Sequence, residues 1–142
     1  MIYIDTSSLL KLVVTDDHSA AVEAAIANEE NVIVSTLTEL EAHVQVRARS
    51  RSGKAQAKQM RRSLEDLEEI LDNLPFTIRQ LSGAVFPNAT KQHEQSTVHC
   101  RSLDRLHLAA MAELGLMRLM THDVRQAEAA KELGYEVVMP GV

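Results

Sequence analysis

Five short apolar runs alternate with segments of helical periodicity along the chain, and this alternation limits the possible folds more than any other feature. The runs are residues 2–4, 32–34, 76–78, 116–120 and 137–139. Each is short enough for one strand and rich in β-branched residues. Because the runs are predominantly apolar, both faces of the sheet should be covered. The pattern predicts a doubly wound, three-layer α/β/α fold with a mostly parallel central sheet of about five strands.

Segments with apolar residues at three- and four-residue spacing lie between these strands, as expected for helices that pack on one face. They are residues 9–14, 20–27, 37–48, 64–74, 103–114 and 124–133. Gly134 follows the last segment, where a glycine with positive φ commonly ends a helix. Residues 82–100 are predicted to form only a partial helix, because Pro87 and several polar residues interrupt the period.

The chain has 142 residues, of which 45% are apolar, and this size and composition suit one hydrophobic core. We therefore expect a single domain that spans residues 1–142. The one cysteine, Cys100, cannot form an internal disulfide, and the N-terminus lacks the features of a signal or transit peptide, so we expect a cytoplasmic protein. The longest apolar segment, residues 106–120, contains charged residues and is too short for a membrane span.

Four acidic residues fall where a doubly wound sheet places its functional crevice, beyond the carboxyl ends of the strands. Asp5 follows the first predicted strand, and Asp123 follows the fourth. Glu39 lies in the first turn of the helix after the second strand, and Asp104 begins the helix that leads into the fourth. Each acid also has an ordinary structural explanation. Asp5 and Asp123 suit helix N-caps, and Asp104 complements a helix dipole. Glu39 completes a capping box with Thr36.

The four acids are more informative together, because they would converge from distant parts of the chain on one rim of the sheet. Carboxylates at close range repel and raise one another's pKa values, so such a cluster persists where a cation holds it together. Oxygen ligands without cysteine favour Mg²⁺ or Mn²⁺ over zinc. A site of this kind suits hydrolysis of a phosphodiester.

Three segments of the chain also carry a family resemblance. They are residues 3–12, YIDTSSLLKL, residues 101–110, RSLDRLHLAA, and residues 121–123, THD. In this order they resemble the signature segments of PIN-domain ribonucleases, in particular the VapC-like toxins of toxin–antitoxin pairs. Residues 128–140 resemble the closing helix and strand of that family. The resemblance covers nearly the whole chain and implies a PIN-like fold.

The resemblance also implies an activity, an endoribonuclease that cleaves RNA such as tRNA or rRNA. The residues that match the family's acids are Asp5, Glu39, Asp104 and Asp123. In the family these acids bind one or two Mg²⁺ or Mn²⁺ ions and activate water for in-line attack. The residues that match its supporting hydroxyls are Thr6, Ser7 and Thr121. The implied partners are an antitoxin protein that inserts into the cleft and a second copy in a homodimer.

Basic residues form a second candidate feature. Lys54, Lys58, Arg61 and Arg62 begin a helix whose end is acidic, the reverse of what the helix dipole favours. We predict that these residues and Arg105 contact RNA phosphates or an acidic antitoxin segment. A solvated surface is the alternative. Arg105 stands where the family often has a small residue, and residues 87–99 depart from the family's helical pattern.

The histidines are not assigned a catalytic role. His122 and His43 lie near the predicted site, but a histidine beside an acid is often only its hydrogen-bond partner. His107 is spaced with Leu103 and Ala110 and is predicted to pack against the core.

One rival function is excluded by the acids themselves. A receiver-like signalling domain needs paired acids after the first strand, an Asp after the third and a Lys after the last. Here Asp5 stands alone, residues 76–80 contain no acid, and Pro140 closes the last strand. Two alternatives stay open: a PIN-domain nuclease outside a toxin pair, and a non-catalytic relative that binds RNA or protein.

Overall fold

The computed structural model describes residues 1–49 and 54–142, with side chains from residue 56 onward in the second part. Its strands are β1 (Ile2–Ile4), β2 (Val32–Ser35), β3 (Phe76–Arg79), β4 (Arg118–Met120) and β5 (Glu136–Val138). They form one sheet in the order β3-β2-β1-β4-β5, and every pair is parallel. The predicted fold class is therefore confirmed.

Helices cover both faces of the sheet. They are α1 (Thr6–Val13), α2 (Ser19–Ile26), α3 (Thr36–Ala48), α4 (Lys54–Asp72), α5 (Val85–Gln95), α6 (Ser102–Leu114) and α7 (Val124–Glu132). Residues of α1 to α4 pack with Ile2 and Ile4 in one hydrophobic core. Residues of α5 to α7 pack with Tyr3 and Leu119 in a second core on the opposite face. Alternate residues of one strand thus serve two cores, which explains why the strands at the centre of the sheet are predominantly apolar. No helix in the described part of the chain is both long and apolar enough to cross a membrane.

Helix α5 is more regular than its sequence pattern predicts. Helix α5 is continuous over Val85–Gln95, although Pro87 lies within it. Proline is tolerated there because the first-turn N–H groups of a helix have no partner inside the helix. Helix α4 begins at Lys54 and ends at Asp72, as predicted from its basic start and acidic end. Gly134 has φ of +84°, as predicted for the residue that ends α7.

The order of the strands determines where a site can form. From β1 the chain runs outward to β2 and β3 on one side and continues with β4 and β5 on the other. Connections leave β1 in both directions, so the carboxyl ends of β1 and β4 flank the point at which open α/β sheets form their binding crevice.

Candidate active site

Asp5 is the first residue after β1 and the N-cap of α1, so a strand and a helix together fix its position. Its Oδ1 accepts a hydrogen bond from the backbone N–H of Ser8 at 3.0 Å, and the Ser7 hydroxyl donates to the same oxygen at 2.8 Å. The Thr121 hydroxyl, which follows β4, donates to Oδ2 at 2.6 Å. Two of the three predicted supporting hydroxyls therefore contact this carboxylate.

Burial dominates the electrostatics of Asp5, which is only 3% exposed. The loss of hydration raises the pKa of Asp5 above the ordinary carboxyl value. The charge of His107 and the hydrogen bonds from Thr121 and Ser7 lower the pKa by smaller amounts. The hydrogen bonds to Asp5 come from hydroxyl and amide groups and not from a paired cation. A bound cation would therefore stabilise this buried charge.

Asp104 and Asp123 are bridged by one guanidinium group, that of Arg101. Nε of Arg101 lies 3.1 Å from Oδ2 of Asp104, and Nη2 lies 2.8 Å from Oδ2 of Asp123. The backbone N–H of Arg101 donates to Asp104 at 3.1 Å, and Asp123 accepts from the N–H of Gln126 at 3.0 Å. Both acids thus have the helix-terminal roles considered in the sequence analysis, and both also share a cation.

Sequence reasoning missed Arg101, although it lies three residues before Asp104, a spacing at which opposite charges at a helix start are neighbours. Its side chain is 77% exposed. The hydrogen bond to Asp104 raises the pKa of Arg101, and the charges of Asp104 and Asp123 add to that effect. A cavity of about 320 Å³ opens here and is lined by His99, Cys100, Arg101, Asp104, Asp123 and Arg125.

Glu41 and His107 form a second network that sequence reasoning missed. Oε1 of Glu41 accepts hydrogen bonds from the Thr6 hydroxyl, at 3.2 Å, and from Nε2 of His107. Nδ1 of His107 lies 2.7 Å from the Tyr3 hydroxyl, which in turn lies 2.7 Å from Oγ of Ser35. His107 is 2% exposed, as a core residue would be, but both of its ring nitrogens are hydrogen-bonded. His107 thus connects Tyr3 of β1 to Glu41 of α3.

Glu39 does not take part in this network. The N-cap of α3 is Ser35, whose hydroxyl accepts from the N–H of Thr38 at 3.2 Å, so Glu39 is the fourth residue of the helix and not the third residue of a capping box. Residues two apart on an α-helix point about 200° away from each other. The acid of α3 that contacts Thr6 and His107 is therefore Glu41, and a catalytic role for Glu39 stays a prediction.

The donors at the site are of the kind that a hard cation takes. The carboxylates of Asp5, Asp104 and Asp123 supply only oxygen, which suits Mg²⁺ or Mn²⁺. Within residues 1–49 and 54–142, however, no group of three or more His, Cys, Asp or Glu side chains is arranged to hold a metal ion. Arg101 pairs with two of the acids instead. The donors thus fit a divalent ion, which would compete with Arg101 for Asp104 and Asp123.

The predicted contact residues lie in different environments. Lys58, Arg61 and Arg62 are exposed on α4. The side chain of Lys54 falls outside the described residues. Arg105 is buried, with 4% exposure, and so differs from an ordinary surface contact.

His122 has structural partners on two other segments of the chain. Its Nε2 donates to the carbonyl oxygen of Pro140 at 2.9 Å, and its Nδ1 lies 2.8 Å from the Ser8 hydroxyl. Its backbone N–H donates to Ser7 at 2.7 Å. The residue ties the loop after β4 to α1 and to the end of the chain.

Comparisons with known proteins agree with this architecture. Residues 2–132 match the model of the PIN domain family. Ribonuclease VapC46 of Mycobacterium tuberculosis is 32% identical to this chain over 141 residues, which cover 98% of this chain and 97% of the relative.

Two solved structures share the fold at low sequence identity. One is Mycobacterium tuberculosis VapC20, a sarcin-ricin loop cleaving toxin, with a TM-score of 0.75 at 16% identity over 99% of this chain and 100% of that chain. The other is VapBC2 from Rickettsia felis bound to a promoter DNA fragment, with a TM-score of 0.69 at 15% identity over 97% of this chain and 98% of that chain. Because the family model matches residues 2–132, which are most of this chain, the chain belongs to the PIN domain family.

Proposed function

We propose that this protein is a metal-dependent endoribonuclease that acts as the toxin of a VapBC-type toxin–antitoxin pair. One observation carries the proposal: Asp5 and Asp123 follow β1 and β4, the neighbouring strands that flank the crevice, and Arg101 joins Asp123 to Asp104. Membership of the PIN domain family and relatives named as ribonucleases support it.

Asp5, Asp104 and Asp123 are the residues that would hold the ion. Ser7 and Thr121 keep the Asp5 carboxylate in place, and the helix N-termini of α6 and α7 do the same for the other two acids. The chemistry that a Mg²⁺ or Mn²⁺ ion would supply there, when bound, is polarisation of the phosphoryl oxygen and a lower pKa for the attacking water.

We assign the fourth carboxylate to Glu41 and not to Glu39. Thr6 and His107 fix the Oε1 atom of Glu41, and Tyr3 fixes His107. Hydrogen bonds of this kind hold a carboxylate in one orientation, which a metal-binding or proton-accepting group requires.

The proposed substrate is RNA, and the proposed partners are an antitoxin protein and a second copy of the chain. The fold is shared with a toxin–antitoxin complex from Klebsiella pneumoniae, with a TM-score of 0.66, and this supports an antitoxin partner. Lys58, Arg61 and Arg62 are exposed on α4 and are available to RNA phosphates or acidic side chains.

The test is cleavage of total cellular RNA by the purified protein. Cleavage is expected with Mg²⁺ or Mn²⁺, and it should be abolished by a chelator and by Asp104→Asn, with the fold of the variant checked by circular dichroism. Cleavage that survives both changes would contradict the metal-dependent proposal. A folded protein that cleaves no RNA under any of these conditions would favour the non-catalytic alternative.

A further inference from the structure

A second, larger cavity lies beside the acids, between α5 and α6. Its volume is about 780 Å³, within the range of roughly 300–1,000 Å³ that is usual for ligand sites. His99, Cys100 and Arg101 line both this cavity and the smaller one that contains Asp104 and Asp123. The two cavities are therefore neighbours on one face, and a chain molecule bound at the acids could extend into the larger one.

Arg105 lines the larger cavity and has unused hydrogen-bonding capacity. Its Nη2 donates to Oγ of Ser96 at 3.0 Å and to the carbonyl oxygen of Val98 at 3.1 Å. Its Nε and Nη1 are buried and have no hydrogen-bond partner. Buried guanidinium donors without partners cost free energy, and groups of this kind in native proteins call for an explanation. A ligand that accepts hydrogen bonds in the cavity would supply one.

The loop before α6 holds Arg105 in this position. The Ser96 hydroxyl, which accepts from Arg105, itself donates to Glu132 of α7. Thr97 donates to the same carboxylate through its backbone N–H, at 2.7 Å, and through its hydroxyl, at 2.6 Å. The guanidinium of Arg105 is thus positioned by hydrogen bonds that run through Ser96 to Glu132. The Glu132 carboxylate acts on Arg105 through Ser96 and not by direct contact.

The chemistry of the cavity wall indicates an anion with an apolar part. His93, His99, Arg101 and Arg105 line it, and no Asp or Glu of the described chain does. This concentration of basic groups contrasts with the net charge of −5 of the whole protein. Phe86, which is 63% exposed, adds an aromatic surface to the wall. A phosphate beside a base matches both features, because arginine forks bind phosphate and aromatic rings stack on bases.

We propose that this cavity is a nucleotide subsite for the RNA strand, in which Nε and Nη1 of Arg105 bind a backbone phosphate and Phe86 stacks against a base. The subsite rests on the proposed ribonuclease function and extends it to one nucleotide beyond the acids.

The test is binding of RNA in the absence of cleavage. A fluorescein-labelled RNA hairpin with a loop of randomised sequence is titrated with protein in EDTA, and its anisotropy gives the affinity. Arg105→Ala should weaken binding about tenfold or more, as expected for a lost charge-assisted contact. It should also lower the slope of log affinity against log salt by about 0.7, the value for one phosphate contact on a single strand. Arg105→Lys should recover part of the affinity.

Two further variants make the result independent of the folding of Arg105→Ala. Phe86→Ala changes an exposed side chain and should weaken binding with the salt slope unchanged. Lys131→Ala removes a positive charge from the last turn of α7, eight residues from Asp123, and should leave binding unchanged. Thermal unfolding of each variant checks that the fold is intact.

The outcomes separate the two proposals. A wild-type protein that neither binds nor cleaves RNA contradicts the proposed function. A wild-type protein that cleaves RNA, while Arg105→Ala and Phe86→Ala bind the hairpin as it does, overturns the subsite alone. Variants that keep their RNA affinity but lose affinity for an antitoxin would assign the cavity to a protein partner and would also overturn the subsite.

Discussion

Arg101 and Asp123 form an ion pair across the mouth of the candidate active site, with 2.8 Å between Nη2 and Oδ2. The same guanidinium pairs with Asp104. A positive side chain of the protein thus lies where the proposed divalent ion would be bound, and the two cations compete for the same carboxylates.

Removing Arg101 should therefore strengthen metal binding. Arg101→Gln is expected to raise the affinity for Mn²⁺ about two- to fivefold, the size expected for an ion pair with an exposed partner. Calorimetric titration measures the affinity directly. Arg125→Gln is the matched control, because Arg125 lines the same cavity but pairs with Glu128. Weaker Mn²⁺ binding by Arg101→Gln would mean that Arg101 helps to orient the acids.

The two acids of α3 can be distinguished by one pair of variants. Glu41→Gln should lower the rate of RNA cleavage by about a hundredfold or more, the usual effect of losing a positioned catalytic group. Glu39→Gln should leave the rate nearly unchanged, because Glu39 has no hydrogen bond with Thr6 or His107. The reverse result would return the role to Glu39.

The buried charge of Asp5 should make the folded protein less stable, although the residue is needed for RNA cleavage. Asp5→Asn is expected to abolish cleavage and, without metal, to raise the Tm at neutral pH by a few degrees, since about 1 kcal/mol shifts the Tm by roughly 3 °C at this size. The folded-state pKa of Asp5 lies above the unfolded-state pKa, so the protonated carboxyl favours folding.

The wild type should gain stability relative to Asp5→Asn as the pH falls through the folded-state pKa of Asp5. Above that pKa the difference in Tm should be constant. Calorimetric unfolding in chelator across the pH range measures this difference. If Asp5→Asn is less stable than the wild type at neutral pH, the hydrogen bonds to the Asp5 carboxylate already offset the free-energy cost of burying its charge, and this prediction is wrong.

Glu132 should have the opposite pH dependence. Hydrogen bonds from Ser96 and Thr97 lower the pKa of Glu132 from 4.5 to about 2. The stability that it contributes is fully present above pH 4.5 and is lost as the pH falls towards 2. Glu132→Gln should therefore unfold at a lower temperature than the wild type at neutral pH. The difference in Tm should disappear in acid, and a constant difference would argue against this role of the carboxylate.

The positions of the acids that directly follow strands were predictable from the sequence, because two general rules determine where such residues lie. A chain that leaves a parallel strand and enters a helix needs an N-cap, and the carboxyl ends of parallel strands share one edge. Asp5 and Asp123 satisfy both rules, and both cap helices in the structure. The five strands were predictable for a related reason, since strands covered on both faces are predominantly apolar.

The acid of α3 was not predictable, because Ser35 and Thr36 are both good N-caps. If Thr36 were the N-cap of α3, Glu39 would complete a capping box, but in the structure the N-cap is Ser35. Glu41 is identified only by its partners Thr6 and His107, which are 35 and 66 residues away in the chain. The buried position of Arg105 likewise depends on the loop at Ser96 and Val98, which carries no clear pattern in the sequence.

The most direct measurement is a crystal structure of the protein grown with Mn²⁺, examined by anomalous diffraction. Our prediction is an anomalous peak within coordination distance of the carboxylates of Asp5, Asp104 and Asp123, with the side chain of Arg101 turned away from Asp123. A crystal soaked to saturation that shows Arg101 still bound to both acids, and no peak between them, would contradict it.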